Sequence, residues 1–493
     1  ASKRPSWAEQ TLPAGLTAPP TQPRFACGQL DASMEFPACV DSDWSWGGGT
    51  VSGSATLEAQ TRNPVGMPGS IGREPFLPAP VATFEEAGLN HALMESLVLK
   101  LLLVEGQATG RRMASELGLP FGPFPEFLRL LKNQQIVTYA NTTAANDYVY
   151  SLTDVGRARA RGYAEECSYV GTAPVPYNDY LKSVAAQTVV SEHPHEADLR
   201  AALADMVLSE ATIRSLGPAI NSGRGLFLYG PPGNGKTSMA ERITRCFGTT
   251  VWIPRVILIE GQLLKLFDLA NHEVVEEAEG SGLLGCREHD RRWVQIRRPT
   301  IVAGGELRME DLEIRFDPMT RVCEAPLQLK SNLGTFLIDD FGRQRMQPVE
   351  LLNRWIMPLE NRIDFLSLPT GKKFRVPFDQ LIIFSTNLEP RELVDEAFLR
   401  RIPYKILAED PTESMFRGML HRFGPKLGFE SIDEDAVDYL ISHHYREAGR
   451  PFRCCQPRDL LLQVRNYCIY NDLPLELSRE YVDFAVAGYF TVM

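Results

Sequence analysis

The segment Gly230-Pro-Pro-Gly-Asn-Gly-Lys-Thr237 restricts the fold of this chain more than any other. It satisfies the spacing G-x-x-x-x-G-K-[ST] in full. It stands between an apolar run, Leu226-Phe-Leu-Tyr229, and a helical pattern that opens Ser238-Met-Ala-Glu-Arg. Glycines at these positions let successive backbone N–H groups turn toward an anion, and the helix start adds its dipole. Gly230, Pro231, Pro232, Gly233, Asn234, Gly235, Lys236, Thr237 and Ser238 are therefore the expected contacts of a nucleotide, read as ATP. Lys236 is expected to reach the β- and γ-phosphates, and the Thr237 hydroxyl to hold Mg²⁺.

Four further features follow in chain order. Phe336-Leu-Ile-Asp-Asp340 reads as an apolar strand ending in two acids. Asp339 is expected to bind Mg²⁺ beside Thr237, and Asp340 to orient or deprotonate an attacking water. Leu381-Ile-Ile-Phe-Ser-Thr-Asn387 reads as a buried strand with a polar end, and Phe398-Leu-Arg-Arg-Ile402 follows it. Gln456-Pro-Arg-Asp-Leu-Leu461 opens a helix. The runs GLFLYG, TTVWIPRVI, GTFLIDD and QLIIFST are nearly all apolar, as strands covered on both faces of a parallel sheet are. Beyond residue 411 the pattern is amphipathic helix.

In that order these parts resemble the AAA+ ATPase family over roughly residues 175–475. The resemblance implies a P-loop α/β core, a parallel sheet with helices on both faces, followed by a helical lid. It implies that Asn387 is the sensor holding the attacking water. It implies that Arg400 or Arg401 is a finger reaching a neighbouring subunit, and that Arg458 is the lid's γ-phosphate sensor. A finger in trans implies a ring, by resemblance a hexamer. One departure stands out: most of the family ends the acidic strand in Asp-Glu, whereas this chain has Asp-Asp, as the initiator and helicase-loader branch often does. The shorter second acid bears on the position of the water and the hydrolysis rate, not on nucleotide binding. IDFLSL, PTGKK and FRVPFDQ read as a hairpin immediately before the Asn-ended strand. Here the chain resembles MoxR-like ATPases, magnesium chelatase subunits and bacterial enhancer-binding activators. The hairpin, with Lys372, Lys373 and Arg375, reads either as a client-touching element or as a solvated turn.

The expected organisation is a Pro/Gly/Ser-rich disordered tail (1–83), a winged-helix domain (84–166), and a linker with a lead-in helix (167–200). The α/β core (201–410), with an insertion at 272–330, and the helical lid (411–493) complete it. In the insertion, TIVAGGELRMEDLEIRF is read as a hairpin, and Trp293 among Arg291, Arg292, Arg297 and Arg298 as a basic face for a neighbouring subunit or for nucleic acid. Residues 84–166 carry eight Lys and Arg against ten Asp and Glu, and the whole chain is at −11. A DNA reader needs a basic face, so the module is read as docking protein ahead of DNA. Nine scattered cysteines without a CxxC pair fit a reducing, cytoplasmic setting. Cys286-x-x-His289 and His193-Pro-His195 lack the second pair that a metal site needs, and the adjacent Cys454-Cys455 and His443-His444 would not share a helix face, so all four are read as structural. No apolar run is long enough to span a membrane, and ASKRPSWAEQTLPAG lacks a signal-peptide core. The expected reaction is ATP + water to ADP + phosphate, used by a ring to remodel or assemble a protein client held by the winged helix or tail. The rivals are a DNA-acting loader or activator, and a nucleotide switch with residual hydrolysis.

Overall fold

The computed structural model describes residues 76–142, 147–275 and 288–490. Nearly all of the expected tail, with Trp7, Trp44 and Trp46, and Cys286 of the insertion lie outside them. The chain has an α/β fold whose centre is a five-stranded parallel sheet with helices on both faces. Across the sheet the strands run Thr300–Ala303, Thr335–Ile338, Leu381–Thr386, Leu226–Tyr229, Tyr404–Leu407. Side chains alternate across a strand, and the two cores divide accordingly. Leu226, Leu228, Leu337, Leu381 and Ile383 face the helices Glu210–Asn221 and Lys236–Ile243. Phe227, Phe336, Ile338, Ile382 and Phe384 face Leu351, Leu352 and Trp355 on the other side. This is why these strands are apolar throughout rather than alternating.

The run TTVWIPRVI departs from expectation. It is two strands, Thr250–Pro254 and Val256–Ile259, and neither joins the parallel sheet. Pro254 has no N–H to continue the ladder, so it ends the first strand. The first pairs with Trp293–Arg297; the second sits in another sheet with Gln262–Lys265, Val322–Glu324, Arg315–Asp317 and Val175–Pro176. An apolar run reports burial but not which core receives it. The missing edge strand of the parallel sheet is Thr300–Ala303, inside the range 272–330 read as insertion. Its sequel Arg315–Asp317 pairs with Val322–Glu324, so TIVAGGELRMEDLEIRF is not a hairpin. The 167–200 stretch is also more than a linker: Val175–Pro176 extends the second sheet, and Tyr180 and Val184 of the helix Tyr177–Ala186 are buried against it.

The basic run 291–298 is a surface only in part: Arg291 and Arg297 are exposed, the latter paired with Glu273 at 2.9 Å, while Arg292 and Arg298 turn inward. Arg292 is 2% exposed and bound to Asp290 at 2.8 Å, and its guanidinium donates to the carbonyls of Ala87 (2.7 Å) and Pro174 (2.9 Å). Trp293 is buried against Phe76, and Arg298 is paired with Glu192 at 3.0 Å. The run therefore joins the second sheet to the start of the N-terminal module.

The expected hairpin is present as Ile363–Ser367 paired with Lys373–Pro377. It is not solvated throughout: Leu366, Leu368 and Val376 enter the core of the second sheet, and Lys372 is paired with Glu260 at 2.7 Å. Leu366→Ala is expected to cost about 2–5 kcal/mol, the usual range for a fully buried leucine, read from the urea midpoint.

In the same core His272 is held neutral. Its Nδ1 accepts the Asp268 N–H (3.1 Å), so Nε2 carries the proton and donates to the Lys330 carbonyl (2.9 Å). Burial lowers its pKa; the Lys330 carbonyl and the Asp268 carboxylate oppose the shift, and the Lys330 ammonium adds to it. A lowered histidine pKa means that the unfolded chain takes up the proton first. The contribution is present above about 6.5 and lost as pH falls below it. Urea unfolding between pH 7 and 5 should show this loss, and His272→Gln should flatten it.

At the N-terminal end three helices, His91–Glu105, Gly110–Leu117 and Phe124–Asn133, precede the hairpin Val137–Thr142/Tyr148–Leu152 and the helix Asp154–Glu166. A short strand, Gln107–Thr109, adds an edge that the pattern did not reveal. The first helix is not amphipathic. Met94, Glu95 and 97–102 are all buried, because it runs through the middle of this core. Its charges are accommodated there: Glu95 meets Arg159 at 2.7 Å, and Lys100 donates to the Cys167 carbonyl at 2.9 Å. The C-terminal helices Glu413–Phe423, Gln456–Tyr470 and Arg479–Tyr489 share a separate core around Phe416, Leu461 and Val482. Between them the expected helix over 434–449 changes at Leu440 to π-helical winding, which runs to Arg446. Among the described residues no helix is long and apolar enough to cross a membrane.

Candidate nucleotide site

The carboxyl ends of three adjacent strands converge. Thr386 is in register with Tyr229, and Ile338 with Phe384, so the glycine loop, Asp339 and Asn387 emerge side by side. Ligands of open parallel sheets bind at such an edge. Gly235 caps the helix Lys236–Ile243 at φ +75°, a conformation that a Cβ would strain.

Lys236 is buried. Its ammonium donates to the carbonyls of Gly230 (2.8 Å) and Pro231 (2.9 Å) and to Asn387 Oδ1 (2.7 Å). Burial lowers its pKa, while the Asp339 and Asp340 carboxylates act to raise it. The Thr237 hydroxyl donates to Asp339, 2.9 Å from Oδ2. Asn387 Nδ2 donates to Asp340 Oδ1 at 3.0 Å, so one amide links the lysine to the second acid. Asp340 itself sits at φ +48°, a strained conformation for a residue with a side chain. The turn is braced by the Phe341 N–H on the Ser385 carbonyl (2.7 Å) and by Gln344, which binds the Asp339 carbonyl and the Gly342 N–H.

These groups face a cavity of about 660 Å³. The hydroxyl and carboxylate of Thr237 and Asp339 form the oxygen donor set that a small hard cation takes. Of the expected nucleotide contacts, Pro232, Gly233, Asn234, Gly235, Lys236, Thr237 and Ser238 line the cavity, as do Asp339, Asp340, Asn387 and Arg458. Gly230 and Pro231 hold Lys236 through their carbonyls. Arg458 is largely exposed at the start of the helix Gln456–Tyr470 and bonds Asp459. Arg400 and Arg401 do not line this cavity. Arg400 is exposed, and Arg401 is paired with Glu360 at 2.7 Å.

Sequence reasoning missed part of the wall. Residues 205–208 close one side, with Met206, Val207 and Leu208 opposite Met419 and Phe423 of the lid. Arg422 ties the two together by donating to the Ala204 carbonyl at 2.6 Å. Arg343, in the turn after Asp340, also reaches the cavity. Only the short apolar run before the helix Glu210–Asn221 could have pointed to the first group; nothing in the sequence marked Arg343.

A protein family described as "Domain of unknown function (DUF8689)" matches residues 412–488, the helical lid. No curated protein matches the chain. Among solved structures, NtrX from Brucella abortus in complex with ADP is similar at 16% identity and a TM-score of 0.35, over 58% of this chain and 56% of that one. The chain thus spans just over half the length of the NtrX chain. A point mutant of RuvB from Thermotoga maritima is similar at 13% identity and a TM-score of 0.33, over 62% of this chain and 74% of that one. Likeness at that level leaves the site's own residues to carry the function.

Proposed function

We propose that this chain is a Mg²⁺-dependent AAA+ ATPase that works as a ring, a hexamer by resemblance, and uses hydrolysis to remodel or assemble a protein client. The observation that carries the ATPase reading is the linked set Lys236–Asn387–Asp340 beside Thr237–Asp339 at one edge of the sheet. Mg²⁺, held by Thr237 and Asp339, would supply charge neutralisation for the β- and γ-phosphates. Lys236 would exchange its loop carbonyls for phosphate oxygens, which offer its buried charge a full counter-charge. Asp340, fixed by Asn387, would hold the attacking water and accept its proton. Arg458 would meet the terminal phosphate from the lid. Arg400 or Arg401, set away from their own cavity, would act in a neighbour's.

The hairpin Ile363–Ser367/Lys373–Pro377 is read as that of the MoxR-like branch, and the client would be held by the N-terminal module, read as a winged helix, or by the residues before it. Lys132, one of two cations on the third helix, has its ammonium 3.8 Å above the Tyr139 ring of its own hairpin, which favours protein over DNA. The free thiols Cys246, Cys323 and Cys468, all buried, suit a cytoplasmic setting. The test is phosphate release from Mg·ATP, read with the mass of the assembly by light scattering. Turnover that rises with assembly supports the ring; turnover independent of concentration contradicts it. A salt-sensitive shift of duplex DNA by the whole chain would favour the DNA-acting rival instead.

A further inference from the structure

Asn234 sits inside the glycine loop, yet its side chain serves another part of the molecule. It is 3% exposed. Its Nδ2 donates to Asp410 Oδ1 (2.7 Å) and to the Ala408 carbonyl (3.2 Å), and its Oδ1 accepts the Cys454 N–H (3.3 Å). Residues 408–412 are the covalent link between the last sheet strand, Tyr404–Leu407, and the lid helix Glu413–Phe423. Cys454 lies just before the lid helix Gln456–Tyr470. One amide therefore bridges the loop, the hinge and the lid.

Neighbouring contacts reinforce it. The Cys455 N–H donates to the Gly233 carbonyl at 2.9 Å, and a Cβ on Gly233 would lie 2.6 Å from the Cys455 sulfur. Arg453 is paired with Asp410. At the other end of the loop, the Ala408 N–H donates to the Tyr229 carbonyl at 2.8 Å, and a Cβ on Gly230 would lie 2.8 Å from the Ala408 carbonyl. A loop that re-forms around a phosphate carries this amide with it, and so moves the hinge and lid or breaks the bonds to them. A buried amide cannot drop its partners without a desolvation penalty.

The geometry points to Asn234 as a positioning residue that couples the conformation of the phosphate loop to the angle of the lid. This rests on the nucleotide reading above and adds its regulation. The test is hydrogen–deuterium exchange of the whole chain with and without Mg·ATPγS, together with steady-state phosphate release. In the native chain the nucleotide should slow exchange in 230–238 and also in 408–412 and 450–456. In Asn234→Asp a second carboxylate faces Asp410, so the loop should still be protected while the hinge and lid are not. At saturating ATP kcat should fall roughly 5- to 150-fold, the span of ordinary coupling free energies. In the double variant Asn234→Asp/Asp410→Asn the loop–hinge hydrogen bond re-forms with the new hinge amide as donor, without the bond to the Ala408 carbonyl or the charge that pairs with Arg453, so both readouts should recover in part. Should Asn234→Asp fail to fold, Asn234→Ala removes both donors without adding charge and should show the same loss of lid protection. Lid protection equal to native in the single variants, or a double variant no better than Asn234→Asp, overturns the coupling. A native chain whose loop gains no protection overturns the nucleotide site, and the coupling with it.

Discussion

Asp340→Asn is expected to keep its affinity for ATP and lose about 10²- to 10⁴-fold in phosphate release, the usual contribution of a positioned base. The asparagine preserves the shape of the turn but cannot accept a proton from water. Asn387 Nδ2 can still donate to its carbonyl oxygen, so the link to Lys236 should persist. A trapped ATP state follows, and a client should co-purify with that variant. Equal rates in the variant and the native chain would favour a nucleotide switch in which hydrolysis is residual. The question is sharper here than in a chain with Asp-Glu. The carboxylate of Asp340 is one methylene shorter, and its positive φ is one means by which the turn directs it.

Lys236→Ala is expected to weaken ATP binding by on the order of 100-fold. Loss of one buried charge-assisted hydrogen bond costs about 2–3 kcal/mol. The buried ammonium is held by two loop carbonyls and Asn387, so its removal also frees the loop it organises. Calorimetric titration with Mg·ATPγS reads the effect directly, and unchanged affinity would contradict the loop assignment. Lys236→Arg should rescue poorly, since a planar guanidinium does not fit the tripod of acceptors that the ammonium fills.

That the glycine loop, the acid pair and Asn387 lie together was legible in the sequence because each ends an apolar strand, and parallel strands covered on both faces bring such ends to one edge. The helical lid was legible from its amphipathic period, though not the π-helical winding from Leu440. The second sheet was not legible. Val251, Ile253 and Ile257 are as apolar as Leu226 and Phe227, and only long-range pairing decides which core they enter. The edge strand Thr300–Ala303 was misplaced for the same reason. Ile301-Val302-Ala303 reads as a strand, but the Gly304-Gly305 that follows suggested a hairpin, and only long-range pairing with Thr335–Ile338 shows that it belongs to the parallel sheet. The arginines at 291–298 misled because charge in a sequence suggests a surface, whereas Arg292 is among the most buried side chains of the fold. Met206, Val207 and Leu208 meet Met419 and Phe423 only after some 200 residues of intervening chain, and no local pattern announces that pairing.

Photolabelling with Mg·8-azido-ATP, followed by peptide mapping, tests the central claim most directly, because it asks where the base of a bound nucleotide lies. The label should fall on peptides containing 205–208 or 419–426 and vanish with excess ATP and in Lys236→Ala. Label confined to the second sheet, or label that excess ATP fails to suppress, would contradict a nucleotide held between the glycine loop and the lid.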